Sequence, residues 1–80
     1  MTVAGDLTRA LELLDRGDWQ AAHEIVQKEK SPLGAWLHGI VHILEGDLEN
    51  AQYWYRRAER TFPGADAVRE EIGAARRALG

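Results

Sequence analysis

The stretch ILEGDLENAQYWYRR, residues 43–57, repeats the pattern of LDRGDWQAAHEIVQK, residues 14–28, at a spacing of 29 positions. Gly17 aligns with Gly46, and Asp18 aligns with Asp47. Glycine allows the left-handed backbone of a tight turn, and aspartate is a favoured cap for the helix that follows. The two segments therefore predict two helical hairpins, each turning at a Gly-Asp pair.

Apolar residues recur at helical spacing along the whole chain, and no segment shows the long alternation of apolar and polar residues that is typical of a strand. The sequence therefore predicts an all-α fold with five helices, over residues 6–16, 18–29, 33–45, 47–61 and 65–79. We expect Asp6 to cap the first helix. Residues 1–80 form one domain: hairpin one (about 6–30), hairpin two (about 33–62) and a closing fifth helix.

The fourth predicted helix carries three consecutive aromatic residues, Tyr53, Trp54 and Tyr55. Successive residues of a helix are rotated by about 100°, so Tyr53 lies away from the apolar face. That face carries Leu48, Ala51, Trp54, Tyr55, Ala58 and Phe62, so we expect Trp54 and Tyr55 to lie in the core.

The composition excludes several classes of protein. A hydrophobic fraction of 45% and a charged fraction of 29% are typical of a globular domain rather than a disordered chain. The absence of cysteine excludes disulfides and thiolate zinc sites. The start MTVAGDLTR lacks the pattern of a secretory signal, and no apolar run reaches the roughly 20 residues of a membrane span. We therefore predict a cytoplasmic protein that does not bind membranes.

The net charge of −3 argues against nucleic acid as a partner, because domains that bind nucleic acid usually carry a basic excess. Six of the ten basic residues lie in the segment 56–80. We interpret these arginines as a solvated helix face rather than as a phosphate-binding surface.

The second unit resembles the tetratricopeptide repeat, a helix–turn–helix unit of about 34 residues. The resemblance covers small, aromatic and turn residues: Trp36, Gly39, Gly46, Asp47, Ala51, Tyr55, Ala58 and Pro63. Trp36 departs from the motif's spacing by about one residue, and the first unit lacks the late alanine. The resemblance implies stacked hairpins, a fifth helix that covers the last apolar face, and a concave surface that binds a protein or peptide. A homodimer would extend the short surface of two hairpins.

A second, narrower resemblance comes from the strings DWQAAHE, LHGIVH and EGDLENAQYWYRRA. Together they look like a family of short, uncharacterised bacterial proteins, known mainly as hypothetical proteins. The resemblance implies no activity. It implies that one recurring set of residues belongs together: His23, His38, His42, Asn50, Tyr53 and Trp54.

Three histidines are the candidate metal ligands. His38 and His42 are four residues apart on one predicted helix, so both imidazoles lie on one stripe and can hold a single divalent ion. Glu45 continues the same stripe, and Glu45, His23 or Glu24 would complete the site.

The same histidines also have a structural interpretation. His38 and His42 would then be partly exposed, on the side of the helix opposite its apolar face, and would hydrogen-bond to neighbouring helices. His23 would pack at the border of the apolar side of its helix. The HExxH signature of zinc proteases is absent, because Gly39 occupies the position of its glutamate.

Asn50, Tyr53 and Arg57 follow i, i+3, i+7 spacing on the fourth predicted helix. They predict a polar binding strip beside Trp54, and with Glu45 they form the predicted binding surface. The alternative is that Arg57 pairs with nearby surface acids and that the strip is solvated.

The sequence favours a non-catalytic module that binds a protein or peptide partner. The alternative is a small metal- or ligand-binding protein, with or without enzymatic activity, that uses the histidine cluster. A helical scaffold without a local site is the third interpretation. We predict no catalytic residues, since the only serine, Ser31, precedes a proline and the glycines mark turns. The only cofactor considered is a divalent metal ion on the histidines.

Overall fold

Over residues 3–80 the chain forms five α-helices, which confirms the predicted all-α class. The computed structural model describes the backbone of residues 3–80 and the side chains from residue 5 onward. Within this range there is no β-strand, and no helix is long and apolar enough to cross a membrane. The helices are α1 (Val3–Asp15), α2 (Trp19–Val26), α3 (Pro32–Glu45), α4 (Leu48–Arg57) and α5 (Val68–Leu79), and a 3₁₀ turn (Ala65–Ala67) precedes α5.

The two Gly-Asp pairs form the same turn. Gly17 and Gly46 adopt left-handed φ angles of 82° and 91°. The amide of the following aspartate then donates to the carbonyl five residues earlier, at 2.8 Å for Asp18 and 2.9 Å for Asp47. Each aspartate side chain caps the next helix by accepting from the amide three residues on, at 3.2 Å in both turns. The sequence repeat is therefore a repeat of one local structure.

The third helix lies at the centre of the fold. α3 packs against α4 within its own hairpin, against α2 of the first hairpin, and against α5 and α1. Every residue from Gly34 to Ile43 is therefore buried. α5 packs against both α3 and α1 and so joins the two hairpins. The largest fully buried side chains are Leu7, Leu11, Leu14, Val26, Leu37, Ile40, Val41 and Tyr55.

Gly39 sets the spacing between α3 and α4. A β-carbon placed on Gly39 would lie 2.6 Å and 2.7 Å from two ring carbons of Tyr55, and 3.3 Å from the carbonyl oxygen of Ala51. Carbon atoms in contact are normally about 3.5–4.0 Å apart. The hydrogen side chain of glycine therefore allows Tyr55 to approach α3 closely enough to be fully buried.

A carboxylate from α5 joins the last helix to the second hairpin. Oε1 of Glu71 accepts from the Tyr55 hydroxyl at 2.7 Å and from the Trp36 indole N–H at 3.0 Å. Burial and this hydrogen bond to Glu71 raise the pKa of the Tyr55 hydroxyl, so the hydroxyl stays protonated and donates. The guanidinium carbon of Arg60 lies 3.4 Å from the centroid of the Trp36 ring.

Four helix ends differ from the predicted ones by more than one residue. α5 begins at Val68 and not at residue 65, because Ala65–Ala67 forms a separate 3₁₀ turn. α1 begins at Val3, so Asp6 lies within its first turn and is not its cap. α2 ends at Val26 and not near residue 29, because the next residues form a turn of short-range bonds. α4 ends at Arg57 and not near residue 61, because Glu59 adopts a left-handed φ of 59°. The amide of the residue after Glu59 donates to a carbonyl five residues earlier, as in the Gly-Asp turns.

Three residues on the predicted apolar face of α4 are not fully buried, and they are Leu48, Trp54 and Phe62. Leu48 is 38% exposed, and it is the first residue of α4, directly after the Gly-Asp turn. Trp54 packs against the core but is only partly buried. The prediction is confirmed for Tyr55, which is fully buried, and for Tyr53, which is 43% exposed.

Candidate metal centre

His38 and His42 are buried side chains of α3, with exposed fractions of only 5% and 7%. The interpretation of these residues as partly exposed is therefore wrong. The side of α3 that carries them is covered by aromatic rings from both neighbouring helices, His23 from α2 and Trp54 from α4. Helical periodicity predicted correctly that these histidines lie opposite the apolar face of α3. It could not show that α2 and α4 cover that side.

The imidazole of His23 completes a cluster of three. Its ring centroid lies 4.8 Å from that of His38 and 5.4 Å from that of His42, and the latter two are 5.0 Å apart. One ring nitrogen from each residue lies within 4.8 Å of the nitrogens of the other two. The structure thus brings together the three predicted ligands. Glu24 is exposed and is not part of this group of described side chains.

The indole of Trp54 covers the cluster from α4. It stacks on the His38 ring with a centroid distance of 3.8 Å and an interplanar angle of 8°. Burial, followed by the proximity of His42 and His23, lowers the pKa of His38 to about 4. His38 is therefore neutral at pH 7 and keeps a lone pair on one ring nitrogen. Neutral imidazole is the form that binds a metal ion.

Glu45 fixes the orientation of the His42 ring. Its Oε1 lies 2.7 Å from Nδ1 of His42, while its side chain is 35% exposed. Because a carboxylate oxygen accepts, Nδ1 of His42 donates to Glu45, which leaves Nε2 as the ring nitrogen that can face a metal ion. Histidines that bind metals commonly donate their other N–H to a carboxylate in this way.

A second group of possible ligand atoms lies at the end of α3. Oxygens of Glu45 and Asp47 and a nitrogen of His42 lie within 4.8 Å of one another. Both acids are exposed, and Asp47 is engaged in capping α4. These contacts are explained by the cap and by the hydrogen bond to His42, so the three imidazoles remain the better candidate.

Two of the three residues of the predicted strip lie around Trp54. The Tyr53 ring meets the Trp54 ring edge-on at a centroid distance of 5.2 Å. The guanidinium carbon of Arg57 is 5.9 Å from the Tyr53 ring and 5.7 Å from the Trp54 ring. Asn50 is exposed in the first turn of α4, where its backbone amide donates to the capping aspartate. Tyr53 and Arg57 therefore lie next to the residue that covers the histidines.

The sequence prediction assigned Trp54 to the core and missed its contact with His38. Helical periodicity identifies the inward side of α4, but it does not identify the residue of α3 that each side chain meets. A usable signal was present, because His38 and Trp54 are each eight positions from Gly46. In an antiparallel helical hairpin, two residues that are equally distant from the turn lie at the same level along the helix axes, so their side chains can meet.

Comparison of the chain with protein-family models, curated proteins and solved structures found no match. The resemblance to tetratricopeptide repeats and to short bacterial proteins therefore stays a prediction. The function has to be inferred from the geometry of the three imidazoles and of the residues around them.

Proposed function

We propose that the protein binds one divalent transition-metal ion through His23, His38 and His42. The observation that carries the proposal is the convergence of one nitrogen from each imidazole to within 4.8 Å of the others. In a tetrahedral zinc site, bonds of about 2.0–2.1 Å place the ligand nitrogens about 3.4 Å apart. Small rotations of the three side chains would close this difference.

The protonation state of the cluster supports metal binding. Burial keeps His38 neutral at pH 7, so no proton has to leave this ring before a metal ion binds. The carboxylate of Glu45 accepts from His42 and brings a negative charge to the edge of the site. Imidazole ligands favour Zn²⁺, Cu²⁺, Ni²⁺ and Co²⁺, whereas Mg²⁺ and Ca²⁺ prefer oxygen ligands. We therefore expect an ion of the first group.

Three protein ligands leave one coordination position for water or another small molecule. Closed structural zinc sites usually have four protein ligands, and sites with three protein ligands keep an open position. Glu45 contacts the cluster at His42, and this contact gives it a positioning role. The open position is compatible with catalysis.

The proposal is tested by zinc titration of protein that has been freed of metal with a chelator. Competition with a chromophoric chelator should give one ion per chain, and native mass spectrometry reports metal content and subunit number together. Replacement of Zn²⁺ by Co²⁺ should give the visible absorption of a four-coordinate site with three imidazole ligands. Mg²⁺ and Ca²⁺ should not compete.

Two variants separate a ligand from a neighbour on the same helix. His23→Asn should weaken zinc binding by at least about 100-fold, more than the loss of a residue that only orients a ligand. The matched control is Glu24→Gln, an exposed residue of α2 that should leave the affinity unchanged. Zinc that binds both variants equally, or a wild-type protein that binds no stoichiometric zinc, would leave the histidines as packing residues.

A protein- or peptide-binding module is the second candidate, and the observation that favours it is an exposed aromatic side chain beside a cation. Tyr53 is 43% exposed and lies next to Arg57. Tyrosine and arginine are enriched in interfaces between proteins. The sequence favoured this function, and we rank metal binding above it because three histidines converge. A protein partner, a homodimer and a cytoplasmic location all stay predictions.

A further inference from the structure

A groove lies one helical turn from the histidine cluster. It has a volume of about 320 Å³, and the residues that matter here are Gln27, Lys30, Ala35, Trp54 and Arg57. Gln27 follows His23 by four residues on the first hairpin, and Ala35 precedes His38 by three residues on α3. Trp54 belongs to both sites, because it stacks on His38 and lines the groove. The groove is therefore a separate site that adjoins the proposed metal centre through Trp54.

The charge of the groove is positive although the chain as a whole carries a net charge of −3. Lys30 and Arg57 supply two cations. Among the side chains described from residue 5 onward, neither takes part in an ion pair. The one acid of the lining is Glu29, and its Oε1 accepts from the amide of Ser31 at 3.1 Å. Two unpaired cations beside one engaged carboxylate favour an anionic ligand.

The walls of the groove favour an anion with an apolar body. Trp54, Pro32 and Ala35 line it alongside the charged residues. The indole of Trp54 is only partly buried, so it offers a surface on which a flat ligand can stack. Arg57 lies 5.7 Å from the Trp54 ring, and its planar guanidinium can bind a carboxylate through two parallel hydrogen bonds. The volume is near the lower limit of ligand pockets, which is about 300 Å³.

We propose that this groove binds a small organic carboxylate with a flat apolar body. The carboxylate pairs with Arg57 and Lys30, and the body packs against Trp54. This goes beyond the proposed metal binding and does not depend on it, since none of the three imidazoles lines the groove.

The test is a titration of ¹⁵N-labelled protein with benzoate, followed by NMR, with benzamide as a neutral control of the same shape. We expect saturable shifts of the Trp54 indole N–H and of backbone amides between Gln27 and Ala35. Benzoate should bind more tightly than benzamide, and added sodium chloride should weaken its binding because salt screens the cations. Equal binding of the two molecules, or shifts confined to other parts of the chain, would overturn the proposal.

Variants give an independent test. The double variant Lys30→Gln/Arg57→Gln should lower the affinity for benzoate roughly tenfold, because it removes two charge-assisted contacts. The matched control is Arg56→Gln, which removes a neighbouring exposed arginine that does not line the groove and should keep the affinity of the wild type. Benzoate binding that survives the double variant would refute the assignment. All titrations are run on metal-free protein, so a failure of zinc binding and a failure of carboxylate binding are distinguishable.

Discussion

We predict that Gly39→Ala destabilises the protein, although alanine is the better helix former. Gly39 lies inside α3 at the closest approach of α4, where an added β-carbon would be 2.6 Å from a ring carbon of Tyr55. A normal carbon contact needs about 3.5 Å, so α3 and α4 would have to separate by roughly 0.9 Å. Tyr55 cannot move away, because it is fully buried and its hydroxyl is bound to Glu71 at 2.7 Å.

The expected magnitude is the difference of two opposing effects. Overpacking of a core costs about 1–3 kcal/mol, and the immobility of Tyr55 favours the upper half of that range. The higher helix propensity of alanine offsets about 1 kcal/mol of this cost. The net loss should therefore be about 1–2 kcal/mol, which lowers the melting temperature by roughly 5–15 °C in a chain of this length.

The assay is urea denaturation followed by tryptophan fluorescence, and the chain supplies a matched control. Gly73 also lies inside a helix, but a β-carbon there would meet only the side-chain nitrogen of Arg77, at 3.6 Å. Gly73→Ala should therefore stabilise the protein by about 0.5–1 kcal/mol. If Gly39→Ala stabilises the protein as much as Gly73→Ala does, the close approach of α3 and α4 is refuted. Separation of the two helices should also weaken zinc binding, because it disturbs the ring stack above the histidines.

Three further predictions concern the site and its support. Glu45→Ala should weaken zinc binding by about 10–100-fold, because the imidazole of His42 loses the acceptor that orients it. Glu45→Gln should keep part of the affinity, because its amide oxygen can still accept this hydrogen bond. Competition with a chelator measures both affinities. The pKa of His38 is lowered to about 4 in the folded protein, so between pH 4 and pH 6.5 the unfolded chain binds more protons than the folded chain. The free energy of unfolding of metal-free protein should therefore fall as the pH is lowered through this window. His38→Phe keeps an aromatic ring against the indole and should flatten this dependence in urea denaturation at a series of pH values, whereas an unchanged slope would assign the dependence to other groups. Tyr55→Phe should cost about 1–2 kcal/mol in the same assay because the Glu71 carboxylate loses one donor, while the exposed Tyr53→Phe should change the stability by less than about 0.5 kcal/mol.

Periodicity and turn residues predicted the helices but not all of their ends. The predicted end of α4 near residue 61 was wrong, because Glu59 adopts a left-handed conformation. Glycine adopts this conformation far more readily than glutamate, so the sequence did not indicate a helix end there. The predicted cap at Asp6 was wrong, because the helix continues towards the N-terminus as far as Val3. Helix ends depend on single-residue conformations, and amino-acid preferences determine those only weakly.

The sequence predicted which residues belong to the candidate site but not how they are arranged in space. The i, i+4 spacing put His38 and His42 on one side of a helix, since that relation is local to the chain. The spacing could not predict that His23 meets them, because this contact joins two hairpins. No local sequence pattern specifies the relative orientation of the hairpins. Trp54 illustrates the same limit, because its helical face was predicted correctly while its ring partner was not.

The sequence by itself determined the all-α class, the number of helices and the two Gly-Asp turns. These features depend on contacts between residues at most about five positions apart, which glycine, aspartate and apolar spacing encode directly. Only the tertiary structure decided that α3 is enclosed by its neighbours, that three imidazoles meet beneath an indole, and that Glu71 ties the last helix to Tyr55. Those outcomes depend on how side chains from separate helices interlock, which is a property of volumes and distances across the fold.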